Sequence, residues 1–179
     1  MTIPVSVRLR FRRMGVGDLD DLSRLLGDPQ VMAFYPRPRT REEAADWIAW
    51  NERNYARDGY GLWILHDQDG RFVGDCGLTW QRVDGTERLE LGYHLLPEHQ
   101  GQGLATEAAR ASRELAHTLG AHEVIAIIRP ENLPSQRVAE RVGLTLERET
   151  ADGRGTPVRV YAAPLRPGSG GVGRSHMTP

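Results

Sequence analysis

The stretch ELGYHLLPEHQGQGLATEAAR, residues 90–110, constrains the fold of this chain more than any other part of the sequence. Its first half alternates as a β-strand does, and its second half is rich in small, helix-forming residues. A proline and two glycines, Gly101 and Gly103, separate the halves. The pattern predicts a strand that passes through a tight glycine turn into a helix that has no ordinary side-chain cap.

The rest of the sequence predicts the element order β-α-α-β-β-β-α-β-α-β-β. Asp18 is a possible N-cap of the first helix, and Thr40 and Glu43 form a capping box at the start of the second. A helix over residues 101–119 follows the glycine turn. The strand, helix and strand around residues 88–129 imply a parallel crossover, whereas the early hairpin is antiparallel. We therefore expect a single α/β domain over residues 1–165, with helices on both faces of a mixed sheet. A flexible glycine-rich tail is expected over residues 166–179.

Composition excludes several classes of protein. The net charge of -1 over 179 residues argues against a nucleic-acid partner, although Arg8, Arg10, Arg12 and Arg13 form a local basic patch that reads as a solvated strand face. The single cysteine, Cys76, permits no internal disulfide, fits a reducing cytoplasm and is expected to be buried. No metal-ligand motif and no apolar run of membrane-spanning length is present, so we expect neither a metal nor a membrane partner.

The glycine turn is either a merely tight turn or a cradle for an anion. Backbone N–H groups at a helix start attract negative charge, and glycines let an anion approach closely. A Walker loop is excluded because Leu104 follows Gly103 where lysine is needed. A dinucleotide loop is disfavoured because Thr106 replaces the third small residue and Glu123 lies at the start of the next strand, not at its end.

Residues 100–105, Gln-Gly-Gln-Gly-Leu-Ala, resemble the Gln/Arg-x-x-Gly-x-Gly/Ala loop of the GNAT superfamily of N-acetyltransferases. The surrounding residues most resemble the RimJ and RimL branch of that family. RPENLPSQRVAERVGL, residues 129–144, is similar to the second family signature. The resemblance implies a mostly antiparallel sheet of about seven strands, a splay between strands four and five, and acetyl-CoA as co-substrate.

The resemblance also implies which residues bind acetyl-CoA. The amides of the glycine loop and the following helical turn hold the pyrophosphate, and the backbone of strand four pairs with the pantetheine arm. Asn132 corresponds to a cofactor-contacting asparagine, although it also fits a simple helix cap. Arg137 either reaches the phosphates or is a solvated helical arginine. The implied cofactor residues are Leu95, Leu96, Gln100, Gly101, Gln102, Gly103, Leu104, Ala105, Thr106, Asn132 and Ser135.

The implied chemistry is attack of a neutral amine on the thioester, which requires a group that accepts a proton. Glu90 is the predicted base, and on a period of two it shares a strand face with Gly92 and His94. Ser135 is the predicted acid beside the sulfur, because Ala139 stands where many relatives have a tyrosine. Glu149 and Asp152 are reserve candidates for the base.

The acceptor is expected to be a small-molecule or peptide amine. Most aromatic residues lie in the N-terminal half, which covers the acceptor cleft in this family; Tyr35, Trp63 and Trp80 are the predicted contacts. A non-catalytic acyl-CoA-binding module of the same fold is the alternative to an enzyme, and a nucleotide- or nucleic-acid-binding protein is disfavoured. The sequence leaves open whether the protein is a monomer or a homodimer.

Overall fold

The computed structural model describes residues 3–165, so the predicted tail over residues 166–179 lies outside the described residues. Seven strands and four helices follow one another in the predicted order, and short 3₁₀ turns precede α1 and follow β4. The elements are β1 (Arg10–Arg13), α1 (Leu19–Gly27), α2 (Arg41–Asp58), β2 (Leu62–His66), β3 (Phe72–Val83), β4 (Thr86–Leu95), α3 (Leu104–Thr118), β5 (Glu123–Ile128), α4 (Leu133–Arg141), β6 (Thr145–Ala151) and β7 (Pro157–Pro164).

All seven strands belong to one sheet, in the order β1-β2-β3-β4-β5-β7-β6. Neighbouring strands are antiparallel, except that β4 and β5 are parallel because α3 crosses over between them. The α/β class and the mostly antiparallel seven-stranded sheet are therefore confirmed. The long β3–β4 hairpin forms the centre of the sheet and carries most of the side chains discussed below.

Helices cover the two faces of the sheet and form its two larger hydrophobic cores, beside a small third cluster of Val83, Ile125 and Val160. On one face α3 and α4 pack against alternate residues of the strands, including Trp63, Leu78 and Leu91. On the other face α1 and α2 pack against a second set, including Leu62 and Ile64. Because successive strand residues point to opposite faces, neighbours in β4 serve different cores. The side chains of the candidate site therefore lie on both faces of the sheet.

The start of α2 has the predicted capping hydrogen bonds, whereas the start of α1 does not. Thr40 and Glu43 form the predicted capping box at the start of α2. Asp18 precedes α1 as predicted, but its side chain does not cap that helix. It accepts a hydrogen bond from the amide of Gly15 at 2.8 Å and pairs with Arg12. Asp18 therefore occupies the predicted N-cap position of α1, but its side chain makes no capping hydrogen bond because an earlier turn and a neighbouring strand use the carboxylate.

Cys76 is buried on the α3 face, with its sulfur 3.5 Å from the hydroxyl of Ser112. Burial raises the pKa of the thiol to about 12, so the sulfur stays protonated at neutral pH. No helix within residues 3–165 is long and apolar enough to span a bilayer.

Candidate active site

The glycine turn at the end of β4 forms a cradle at the start of α3. Gly101 and Gly103 have φ angles of 73° and 78°, in the left-handed region that glycine adopts readily. Gly103 is the N-cap of α3 and offers no side chain to the first amides of the helix. These amides carry the positive end of the helix dipole, so the turn fits an anion such as a pyrophosphate.

The two glutamines of the turn fold back onto its own backbone. Gln100 donates from its side chain to the carbonyl of Leu95 at 2.9 Å, and Gln102 donates to the carbonyl of Glu98 at 2.8 Å. Their side chains therefore stiffen the loop and leave its amides as the groups that face a ligand. The residues that follow in α3 are less open: Leu104 is buried, and Ala105 and Thr106 are half-buried.

The hydrogen bonds of Leu95 and Leu96 limit which residues of β4 can pair with the pantetheine arm. The amide of Leu96 donates to the carbonyl of Val73 at 3.0 Å, and its carbonyl accepts from the amide of His99 at 2.9 Å. The Leu96 backbone is therefore already engaged within the protein. Leu95 faces Gly74 of β3, and its carbonyl accepts the hydrogen bond from Gln100. Pairing with a ligand fits the residues of β4 before Leu95 better than Leu96 itself.

The splay between β4 and β5 begins at Glu90. These two strands share one facing pair, Glu90 with Ile125, and separate beyond it. The carboxyl of Glu90 accepts a hydrogen bond from the amide of Ile127, so it stands between the two strands. Burial raises the pKa of Glu90 to about 7, although the Ile127 amide and the positive charge of His94 act in the opposite direction. A carboxyl with this pKa can take and release a proton near neutral pH.

On the α3 and α4 face, two hydroxyl groups meet beside the splay. The hydroxyl of Tyr93 donates to the carbonyl of Ser135 at 2.8 Å and lies 3.0 Å from the Ser135 hydroxyl. Asn132 caps α4 by accepting from the amide of Ser135 at 3.1 Å, which holds that serine in place. Burial raises the pKa of Tyr93 above its ordinary range, so its hydroxyl keeps its proton. Ala139 is fully buried nearby in the core.

On the α1 and α2 face, Tyr35, His94 and Asp75 form a chain of hydrogen bonds. The Tyr35 hydroxyl lies 2.7 Å from Nε2 of His94, and Nδ1 of His94 lies 2.8 Å from Oδ1 of Asp75. Trp47 of α2 donates from Nε1 to Oδ2 of Asp75 at 3.2 Å and meets the His94 ring edge-on. Asp75 is completely buried, whereas Tyr35 is 41% exposed. This chain of hydrogen bonds therefore connects the buried carboxylate of Asp75 with the Tyr35 hydroxyl at the surface.

The three predicted acceptor contacts do not lie together. Trp63 is 1% exposed and packs edge-on against Phe11 in the core of the α3 face. Trp80 is on that same face, where its indole N–H donates to the Tyr60 hydroxyl at 3.0 Å. Of the three, only Tyr35 lies on the α1 and α2 face, where its hydroxyl contacts His94. Trp63 does not fit the predicted role, because a side chain packed in the core offers no surface to an acceptor.

The reserve acids have structural partners of their own. Glu149 of the edge strand β6 pairs with Arg159 of the neighbouring strand β7 at 2.8 Å. Asp152 accepts from the amides of Thr156 and Arg154 in the β6–β7 turn, and these hydrogen bonds lower its pKa to about 2. A carboxylate with so low a pKa is a poor base at neutral pH, which leaves Glu90 as the better candidate. Arg137 is exposed on α4.

Sequence reasoning missed two features of the site. Tyr93 has the opposite strand parity to Glu90 and His94, so alternation along β4 alone could have placed it on the other face. The pairing of Asp75 with His94 depends on the register between β3 and β4, and Tyr35 arrives from the segment between α1 and α2. No local pattern in the sequence reports that register.

The comparisons agree with this geometry. Residues 8–145 match the model of the acetyltransferase (GNAT) domain. The Bacillus subtilis protein YkkB is 35% identical over 160 residues, which cover 88% of this chain and 92% of the relative. The Bacillus subtilis N-acetyltransferase YnaD is 28% identical over 141 residues, 78% of this chain and 81% of the relative. RimL, a ribosomal α-N-protein acetyltransferase solved with coenzyme A, has a TM-score of 0.74 at 22% identity, covering 91% of this chain and 97% of that one.

The chain belongs to the GNAT family of acetyltransferases. Acetyl-CoA-dependent acetyl transfer is the chemistry of that family, and the cradle and the splay have the features it needs.

Proposed function

We propose that this protein transfers the acetyl group of acetyl-CoA to a primary amine by direct attack on the thioester, with Glu90 as the base. The observation that carries the proposal is the place of Glu90 at the mouth of the splay, with a pKa near 7. The pyrophosphate of acetyl-CoA is held at Gly101 and Gly103, and the acyl group supplied by the cofactor lies in the splay.

The two faces of the sheet divide the proton chemistry in this proposal. The amine approaches from the α1 and α2 face, where Glu90 takes its proton directly or through water. On the opposite face, the hydroxyls of Ser135 and Tyr93 hold a proton close to the sulfur position. In this proposal the two hydroxyls take the role of the tyrosine acid that many relatives have at the position of Ala139. Positioning by the cradle supplies much of the remaining rate.

The acceptor is a peptide N-terminus or a small-molecule amine in this proposal. The single buried cysteine fits a protein that works in the reducing cytoplasm. The oligomeric state, monomer or homodimer, is to be read from light scattering on the purified chain.

The deciding experiment is titration with acetyl-CoA by calorimetry, followed by thiol release with a panel of N-terminal peptides and small amines. Binding with turnover on any amine supports the enzyme. Binding without turnover supports a non-catalytic acyl-CoA-binding module instead. Failure to bind acetyl-CoA overturns the cradle assignment at Gly101 and Gly103.

A further inference from the structure

The buried carboxylate of Asp75 determines the charge of His94. A carboxylate with no solvent exposure is costly unless a positive group compensates it. Its two hydrogen-bond partners in the described chain are the neutral indole of Trp47 and the imidazole of His94. His94 is therefore the group that supplies the positive charge. Burial lowers the pKa of His94, but Tyr35 and Asp75 outweigh burial and raise it.

The charge of His94 sets the direction of the hydrogen bond to Tyr35. In an imidazolium both ring nitrogens are donors, so Nδ1–H donates to Asp75 and Nε2–H donates to the oxygen of Tyr35. The Tyr35 oxygen is then the acceptor, and its own proton points away from His94. The exposed side of the Tyr35 hydroxyl thus presents a donor. The other charged group that faces His94 is Glu90, on the same strand face.

The position of Gly92 shows what this donor can reach. Gly92 lies between Glu90 and His94 on one face of β4, two residues or roughly 7 Å from each. A side-chain carbon added there would be in ordinary van der Waals contact with Leu62 at 3.5 Å, so the glycine leaves room for one more carbon beside Leu62. An amine held over Gly92 has the Glu90 carboxyl on one side and the Tyr35 hydroxyl on the other.

We propose that the Tyr35 hydroxyl, oriented by His94 and Asp75, donates a hydrogen bond to a carbonyl oxygen next to the acceptor amine. This inference rests on the proposed function and narrows its substrate to α-amino carbonyl compounds, either a peptide N-terminus or a free amino acid. His94 and Asp75 are positioning residues, because they act through Tyr35. An alkyl amine offers no oxygen to this donor and gains nothing from it.

The test compares four acceptors with wild-type protein and the Tyr35→Phe variant, after acetyl-CoA binding has been measured for both. L-Alaninamide and isopropylamine are a matched pair that differs in the carbonyl group. Alanyl-glycyl-glycinamide and free L-alanine distinguish a peptide N-terminus from an amino acid. Tyr35 is partly exposed, so the variant keeps the fold. Tyr60→Phe is the control, because it removes a hydroxyl from the opposite face.

We expect Tyr35→Phe to lower kcat/KM roughly tenfold for the α-amino carbonyl acceptors, the usual effect of one hydrogen bond. The value for isopropylamine and the affinity for acetyl-CoA should not change, and Tyr60→Phe should match wild type. An equal loss for isopropylamine, or no loss with any acceptor, overturns the inference. Acetylation of isopropylamine with no acetylation of any α-amino carbonyl acceptor overturns this inference alone, whereas acetyl-CoA binding with no turnover on any amine overturns the proposed function as well. Absence of acetyl-CoA binding overturns the proposed function as well.

A second measurement tests the orientation of the chain without relying on turnover. Nitrogen NMR of the imidazole groups in wild type should show both nitrogens of His94 protonated at pH 7.5. A singly protonated His94 would turn the Tyr35 proton inward and contradict the proposal. His94→Gln should also lower kcat/KM for L-alaninamide, with no further loss when it is added to Tyr35→Phe. Additive losses would show that His94 does not act through Tyr35.

Discussion

At the scale of single residues, Glu90 is the group whose protonation changes within the neutral range. Its carboxyl is held between two strands, where burial favours the neutral form and raises its pKa to about 7. The base is the ionised form, so activity should rise with pH through about 7 and then level off. The acceptor amine adds a separate rise at its own pKa.

Replacing Glu90 by glutamine removes the base but keeps the size of the side chain. We expect Glu90→Gln to lower kcat/KM by about 10²- to 10⁴-fold, the usual contribution of a general base. The step near pH 7 should disappear from the pH profile of kcat/KM, whereas the step of the amine should stay. Acetyl-CoA affinity, measured by calorimetry, should match wild type. A variant that keeps the pH 7 step would assign that step to another group.

The same carboxyl gives a prediction about stability. The pKa of Glu90 is raised from 4.5 to about 7, so the folded protein keeps this proton at pH values where the unfolded chain has lost it. Its contribution is fully present below about pH 4.5 and is lost as pH rises through 7. In urea unfolding, the stability of wild type relative to Glu90→Gln should therefore be lower at pH 8 than at pH 5. Equal differences at both pH values would show that Glu90 has an ordinary pKa.

At the scale of elements, α3 has near each end a glycine with a left-handed backbone conformation. Substitutions of these two glycines can therefore be compared directly. Gly101 precedes the helix with φ 73° and Gly120 follows it with φ 77°, and a side-chain carbon at either would meet nothing within 4 Å. The backbone strain of alanine is therefore similar at both, of the order of 1 kcal/mol. Only Gly101 faces the proposed cradle.

We expect Gly101→Ala and Gly120→Ala to lower the Tm by similar amounts. Gly101→Ala should also weaken acetyl-CoA binding in calorimetry by about tenfold or more, because the added carbon stands where the pyrophosphate approaches. Gly120→Ala should bind acetyl-CoA like wild type. Equal affinity in both variants would place the phosphates elsewhere.

The elements that the sequence predicted well are those with local signals. Thr40 with Glu43 identifies the start of α2, and the alternation and glycines around residues 90–110 identify β4, the turn and α3. The sequence did not show that Asp18 makes no capping hydrogen bond, because a strand arginine, Arg12, competes for its carboxylate. Tyr35, Asp75 and His94 could not be grouped from the sequence, since they meet only through strand register and a connecting segment. Local patterns predict elements, and the site depends on how the elements align.

At the scale of the whole molecule, Arg88 ties three strands together next to the splay. Arg88 of β4 is 7% exposed and pairs with Glu123 of β5 at 2.8 Å and with Glu147 of β6 at 2.6 Å. These ion pairs raise the pKa of Arg88 above its ordinary range and compensate for the few backbone bonds between β4 and β5. The pairs hold the two halves of the sheet at a fixed distance.

We expect Arg88→Met to lower the free energy of unfolding by roughly 2 kcal/mol in urea, because it removes charge-assisted hydrogen bonds from a largely buried group. Arg24→Met is the control: this arginine is 56% exposed and pairs with Glu98 on the surface. Its loss should cost less than about 1 kcal/mol. Equal costs would mean that Arg88 does not join the two halves of the sheet.

The separation of β4 from β5 gives the sheet two edges in its interior. Most sheets keep unpaired backbone groups at their rims, whereas this one holds them at its centre, beyond the pair Glu90 and Ile125. A molecule that pairs with these edges becomes part of the folded architecture. A ligand that binds only the folded protein stabilises it by mass action. Acetyl-CoA at 100 times its Kd would therefore add about 2.7 kcal/mol to the free energy of unfolding. Under the proposed function, the free energy of unfolding should therefore fall when acetyl-CoA is removed.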